Sequence, residues 1–285
     1  MAAIPQHAKD WLDFARDPLS GTEALRAQFH GHAYDPHFHD QVLVGVTQQG
    51  VQQFRARRQV HRSTPGRLIF IEPGETHDGE AAENGGEGFT YAMLYFDPHW
   101  LRDSAALCAG RGDGKAAFSF PKTLDDDQRL ARAILKACAQ IAAPDSRMAC
   151  DAALDAVTAL LIRRYGVPHA ASERAPRMAA RAREIIDAYS ERDLGLQDLA
   201  DLAGTDRFRL SRAFAAAYGL APHAYLVQRR LNQARRLLAR GESPADVAAS
   251  TGFADQSHMG RWFRRAYGMT PAAYRKLCTD VPDSG

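Results

Sequence analysis

The sequence predicts an α+β multidomain protein: an N-terminal β-barrel with a helical hairpin, then a C-terminal all-α domain with two helix-turn-helix units. Three observations carry this. Residues 25–96 alternate Val/Ile/Phe-rich runs with clusters of Gly, Pro and Asn, the pattern of short strands cut by turns. From residue 124 onward, apolar residues recur at helical spacing. A fifteen-residue stretch also occurs twice, as RAFAAAYGLAPHAYL (212–226) and RWFRRAYGMTPAAYR (261–275). The copies agree at eight positions: Arg212/Arg261, Phe214/Phe263, Ala217/Ala266, Tyr218/Tyr267, Gly219/Gly268, Pro222/Pro271, Ala224/Ala273 and Tyr225/Tyr274.

The elements follow in order. VLVGVTQQGVQQFRARRQV, GRLIFIEPGE and FTYAMLYFD read as strands, and many short strands at turn-limited spacing argue for a sandwich or barrel. The first domain is expected over residues 1–120. A helical hairpin is expected over 121–165, with apolar stripes Leu130, Ile134, Leu135, Cys138, Ile141 and Leu154, Val157, Leu160, Leu161, Tyr165. Those wide apolar faces, with little else in the sequence to cover them, predict a homodimer through the hairpin. GVPHAASERAP, residues 166–176, reads as a linker. Residues 177–278 read as helices throughout. Pro222 and Pro271 sit at helix starts, Ser243-Pro244 gives a cap and first-turn proline, and Gly241 ends a long helix.

Composition excludes several classes. No apolar run approaches the roughly 18 residues of a spanning helix, so no membrane partner is expected. The opening MAAIPQHAKDWLDFARD is polar and acidic, unlike a secretory signal. Cys108, Cys138, Cys150 and Cys278 form no CxxC pair and read as reduced, structural thiols of a cytoplasmic protein. Charge is uneven. Residues 174–278 hold 18 Lys+Arg against 10 Asp+Glu, and the remainder holds 18 against 24. A basic C-terminal third suggests a polyanionic partner; charge alone favours a solvated basic surface, and it is the repeat that makes the expected partner double-stranded DNA.

The repeat explains that charge. Each copy carries a short helix, a glycine turn and a second helix, LADLAG-TDRFRLSRAF and VAASTG-FADQSHMGRWF, which is the helix-turn-helix pattern. Leu199, Leu202, Leu210 and Phe214 are expected to pack the first unit; Val247, Phe253, Met259 and Phe263 the second. Two units tied by one long helix can enter successive major grooves, about 34 Å apart on one DNA face.

The stretch DVAASTGFADQSHMGRWFRRAYGMTPAAYRK, residues 246–276, closely resembles the signature of the AraC/XylS family of bacterial transcription regulators, and the resemblance extends over residues 177–277. It implies a sequence-specific DNA-binding regulator, usually an activator, that recruits RNA polymerase and is not an enzyme. By position, Arg207, Phe208, Ser211 and Arg212 on the first recognition helix, and Gln256, Ser257, His258 and Arg261 on the second, are offered to bases or phosphates. Arginine can take guanine and glutamine adenine, each by two hydrogen bonds, and an aromatic ring can meet a thymine methyl. Arg209, Arg229 and Arg230 are expected at phosphates, which fix register. Two departures stand out: Gly260 replaces a small polar residue, and AFAAAYG lacks a basic pair after Phe214.

HFHDQVLVGVTQQG (37–50) and GRLIFIEPGETH (66–77) resemble the two cupin motifs through His37, His39, Gly50, Gly66, Gly74 and His77. Leu43 stands where a metal-ligand glutamate would be, and Glu72 replaces a proline. The reading is therefore a cupin-like effector domain. His37, His39, Glu75 and His77 are placed at the mouth of a small-molecule pocket, with no metal and no cofactor. The alternative, a metal-dependent cupin enzyme fused to a DNA-binding module, uses the same three histidines as ligands.

Overall fold

In the computed structural model, which describes residues 10–82, 88–108, 116–118, 120–144, 146–168 and 175–279, the N-terminal strands form two principal sheets. The chain divides into two units. The first comprises residues 1–33, 41–72 and 78–169; the second comprises 34–40, 73–77 and 170–285.

The strands are β1 (Trp11–Arg16), β2 (Glu23–Phe29), β3 (His32–His37), β4 (Val42–Gly50), β5 (Gln52–Ala56), β6 (Gln59–Ser63), β7 (Leu68–Ile71), β8 (His77–Ala81) and β9 (Phe89–Phe96). Helix α1 (Pro98–Cys108), strands β10 (Ala116–Phe118) and β11 (Leu124–Asp125), helices α2 (Gln128–Ala142) and α3 (Arg147–Tyr165) and strand β12 (Gly166–Pro168) follow. One sheet has the order β1-β2-β9-β4-β7-β11, antiparallel throughout; a second runs β3-β8-β5-β6; β10 pairs with β12. The stretch expected to be a linker thus begins as a strand, and residues 169–174 lie outside the described residues.

Strand period two sorts the six-stranded sheet's residues between its faces. Val42, Val44, Val46, Leu68, Phe70, Ala92, Leu94 and Phe96 form one core with α2 and α3. Leu43, Ile69, Ile71, Tyr91 and Met93, one position out of step, are buried on the other face. That is why β4 reads as an unbroken apolar run and not as an alternation. Gly45 is required there: a Cβ would lie 2.5 Å from Met93 Sδ and 2.7 Å from the Ala92 carbonyl oxygen.

Asp127 caps α2 by accepting from the Arg129 and Leu130 amides. Leu130, Ile134, Cys138 and Ile141 of α2, with Cys150, Leu154, Val157 and Leu161 of α3, lie in the same core as the sheet. Burial pushes the Cys138 thiol up to about 12, consistent with a structural role. The apolar faces from which a homodimer was expected are thus not bare: Leu154 and Leu161 are 1% and 0% exposed within one chain and lie in one core with the chain's own sheet, so they supply no reason for a second copy. The sequence showed the faces but not the strands that cover them.

The second unit holds α4 (Arg177–Ala188), α5 (Leu196–Leu202), α6 (Arg207–Tyr218), α7 (Pro222–Ala239), α8 (Pro244–Ser250), α9 (Gln256–Tyr267) and α10 (Pro271–Thr279). Its first core joins Ala182, Ile186, Leu199, Leu210, Phe214 and Tyr225 to Phe38 of the 34–40 segment, whose ring stacks on Tyr225 at 4.9 Å. Val247, Phe253, Met259 and Phe263 are buried as expected. Leu202 is not: it is the last residue of α5 and is 60% exposed.

Candidate nucleic-acid interface

The repeated residues build the same corner twice. Gly219 and Gly268 cap α6 and α9 in the left-handed conformation, with φ of 76° and 71°, where a side chain would be strained. Pro222 and Pro271 then open α7 and α10, where their missing N–H costs nothing. Phe214 meets Tyr218 edge-on at 4.7 Å and Tyr225 at 5.3 Å; Phe263 meets Tyr267 at 4.7 Å and Tyr274 at 5.6 Å. Most of the eight identities are thus the turn and the aromatic lock that fix where each recognition helix ends.

The starts of these helices are fixed by carboxylates. Asp206 accepts from the Phe208 and Arg209 amides at 3.0 and 2.9 Å, and Asp255 accepts from the His258 amide at 2.7 Å. The amide of Arg209 foremost holds the Asp206 carboxyl below its ordinary range. A charged cap suits the positive end of a helix dipole.

Between cap and glycine, the predicted readers mostly face solvent. Arg207, Phe208, Arg209 and Arg212 on α6 are exposed, with Ser211 half-buried. Phe208 is 65% exposed, with the Arg207 guanidinium 4.8 Å above its ring. Phe208 is therefore not part of the core. On α9, Gln256, Ser257 and Arg261 are exposed. They line an open groove of about 880 Å³ with Gly260, Arg264 and Thr270. Arg264 belongs to this surface too, although it was not among the predicted readers; its signal is the basic pair after Phe263.

Three assigned residues have other partners. Arg229 is half-buried and pairs with Asp187 at 2.8 Å and with Asp40 at 2.7 Å. Arg230 donates to the Ser190 and Arg192 carbonyl oxygens at 2.7 and 2.8 Å. Both were expected at phosphates; here they lie in the α7 stretch that binds α4 and the chain after it. His258 is half-buried, and its Nε2 accepts from Trp262 Nε1 at 3.0 Å, so its ring braces α9 from within.

The histidines expected at an effector pocket fall in the second unit. His37, His39 and His77 lie ring to ring, with centroids 4.8, 4.5 and 5.3 Å apart. Burial, reinforced by the neighbouring His77, pushes the His37 imidazole down to about 3, and burial lowers His39 well below its ordinary value. Both rings are neutral at physiological pH. His39 Nδ1 lies 3.1 Å from Arg235 Nη1, and both His37 and His39 approach the Tyr267 ring. Glu75 stands beside them through its backbone oxygen, which faces His77 Nδ1 at 3.0 Å.

Comparison with known proteins agrees with both halves of this description. Residues 19–158 match the family model of the AraC-like ligand binding domain, and residues 199–277 match a helix-turn-helix domain. YbfI, an uncharacterized HTH-type transcriptional regulator of Bacillus subtilis strain 168, is 27% identical over 250 residues, covering 85% of this chain and 87% of its own. The transcriptional activator NphR of Rhodococcus is 40% identical over 95 residues, 33% of this chain and 28% of its own. Among solved structures, fatty-acid-bound ToxT of Vibrio cholerae superposes with a TM-score of 0.53 at 12% identity, covering 98% of this chain and 99% of that one; the likeness is one of fold. Among the described residues no helix is long and apolar enough to cross a membrane.

Proposed function

We propose that this chain, which belongs to the AraC family of transcription regulators, acts as a small-molecule-responsive activator that reads a non-palindromic DNA site with one copy of itself. The family membership makes it a DNA-binding regulator with a ligand-binding domain and not an enzyme. The observation that carries the finer reading is the pair α6 and α9. They hold equivalent positions in a repeated structural corner, and each turns an exposed arginine, Arg212 and Arg261, to solvent. Arg207, Phe208 and Arg212 would enter one major groove; Gln256, Ser257 and Arg261 the next. Arg209 and Arg264 would hold phosphates.

Because one chain carries both recognition helices, the reading needs no partner copy for a second half-site. The sheet domain would take the effector, and an effector that prefers one arrangement of the chain would shift the population competent to bind both grooves. RNA polymerase recruitment at the bound promoter would then give activation. The test is a reporter driven by a promoter selected by the purified chain from its own genome. Effector-dependent rise in expression, lost with Arg261→Ala, supports the reading; expression that rises when the chain is deleted makes it a repressor.

A further inference from the structure

We propose that Arg235 and Asn232 of α7 are positioning residues: they aim α9, and so fix the spacing between the two stretches of DNA that one chain reads. This deepens the two-groove reading above and rests on it.

The repeat reaches further upstream than the fifteen matched residues. Ala179, Ala182 and Ile186 of α4 are buried, and Leu231, Ala234 and Leu238 of α7 are buried at the same spacing. In that register Arg183 of α4 matches Arg235 of α7. Each arginine stands over the tyrosine that closes the recognition helix of its own unit. The Arg183 guanidinium lies 5.2 Å from the Tyr218 ring centroid, and the Arg235 guanidinium lies 4.8 Å from that of Tyr267. Tyr218 and Tyr267 are themselves a matched pair, each one residue before a left-handed glycine. A cation over a ring face is attracted by the ring's quadrupole, more strongly when water is excluded. Each unit thus begins with a helix whose arginine holds the far end of its recognition helix.

The second pair is the tighter. Arg235 is 6% exposed, whereas Arg183 faces solvent, and a second ring, Tyr274 of α10, lies 5.5 Å from the Arg235 guanidinium. That guanidinium also donates to His39 Nδ1 at 3.1 Å. The Tyr267 hydroxyl donates to Asn232 Oδ1 at 3.1 Å, so α7 holds this tyrosine by its ring and by its hydroxyl. Burying a guanidinium and an amide carries a solvation cost that apolar side chains of similar volume do not. A core that served stability alone would be better filled by apolar groups. Contacts with direction select one arrangement of the helices among several of similar packing.

Helix α7 carries that aim from one unit to the other. Near its start, the Tyr225 hydroxyl donates to Asp187 of α4 at 3.1 Å, and Arg229 pairs with the same carboxylate at 2.8 Å. Further along, Asn232 and Arg235 hold Tyr267 of α9. One helix of 18 residues, about 27 Å long, is therefore tied to the first recognition unit and grips the second. Loss of the grip at Tyr267 frees α9 to tilt against α7 and leaves α6 where it is. Arg183 lies outside that line: it steadies α6 against α4 and takes no part in the spacing.

The experiment uses the full chain and a site it selects from its own genome, with one base pair inserted or removed between the two halves. One base pair moves the second half by about 3.4 Å and turns it by about 35°. The readout is the ratio of affinities for the selected and the altered spacing, from which any loss of folded protein cancels. The wild type should prefer the selected spacing by roughly tenfold or more, the scale of losing base contacts by one unit. Tyr267→Phe keeps the ring under Arg235 and removes only the hydroxyl; it should narrow that ratio by at least about twofold, the scale of one hydrogen bond. Arg235→Met, which removes the charge and keeps the length, should narrow it further. Arg183→Met should weaken binding to both operators alike and leave the ratio as it is. A wild type indifferent to spacing overturns the two-groove reading and this proposal together. A wild type that discriminates, with the ratio unchanged in folded Tyr267→Phe and Arg235→Met, overturns the positioning role alone, as does equal narrowing by Arg183→Met. If Arg235→Met does not fold, Tyr267→Phe decides by the same criterion.

Discussion

The two helix-turn-helix units share a frame and differ in how they carry charge. Both use a carboxylate at the recognition-helix start and a left-handed glycine at its end. On α6 the arginines come early, at Arg207, Arg209 and Arg212, and the last turns are AFAAAY. On α9 they come late, at Arg261, Arg264 and Arg265, and the first turn is Gln256-Ser257-His258. N-terminal residues of a recognition helix contact base edges. On the reading proposed above, Gln256, Ser257 and Arg261 of α9 would read bases and Arg264 would hold a phosphate, while on α6 Arg207, Phe208 and Arg212 would read and Arg209 would hold. The first unit presents cations and one aromatic ring at its entry. The difference teaches that duplicating a fold here does not duplicate the surface it offers.

Four experiments sharpen or break that contrast. The shared frame comes first. Phe214→Ala and Phe263→Ala each remove a fully buried ring and should each cost roughly 3–5 kcal/mol by denaturant unfolding. Losses of similar size confirm that the units are held alike; a small loss in one would mean its corner is not a core.

The charge contrast comes next. Arg261→Ala should cost about 1–3 kcal/mol of DNA affinity and relax preference at one base position. Arg209→Ala should weaken all sequences alike and reduce the salt slope by about 1. Both are read by titration against an operator series with single-base changes at two salt concentrations. If the two variants behave identically, the division of labour fails.

Smaller effects separate the supporting helices. Ser243 caps α8 through the Asp246 amide, whereas Gly195 at the head of α5 supplies no side chain. Ser243→Ala should cost about 1 kcal/mol, seen as a lowered unfolding midpoint. Gly260 has open space where a Cβ would be, and its counterpart in the first copy is Ser211. Gly260→Ala should raise stability by roughly 0.5–1 kcal/mol, and a fall would reveal a contact at that face.

Much of this was legible in the sequence. The duplicated Phe, Tyr, Gly and Pro identified the corners because each residue type does one local job: packing, capping or starting a helix. Exposed readers such as Gln256 and Arg261 followed from their places between those marks. The hairpin was legible as two helices but not as an internal layer, because Leu154 and Leu161 look the same whether a sheet or a second copy covers them. The intramolecular partners of Arg229 and Arg230 were hidden for a related reason. A basic pair on a helix suggests phosphate, and only the fold brings Asp187, Asp40 and the Ser190 carbonyl to it. The histidines were found by motif, yet their cluster against Arg235 and Tyr267 depends on a fold that no residue letter reports.

The central claim is that one chain places two recognition helices in successive major grooves. The most direct measurement is guanine N7 methylation protection of a selected genomic site by the full chain. The account predicts two protected patches on one face of the duplex, about 10 base pairs apart and unlike in sequence. Arg261→Ala should abolish only the patch read by α9. A single protected patch, or two patches lost together with Arg261→Ala while overall binding persists, would contradict it.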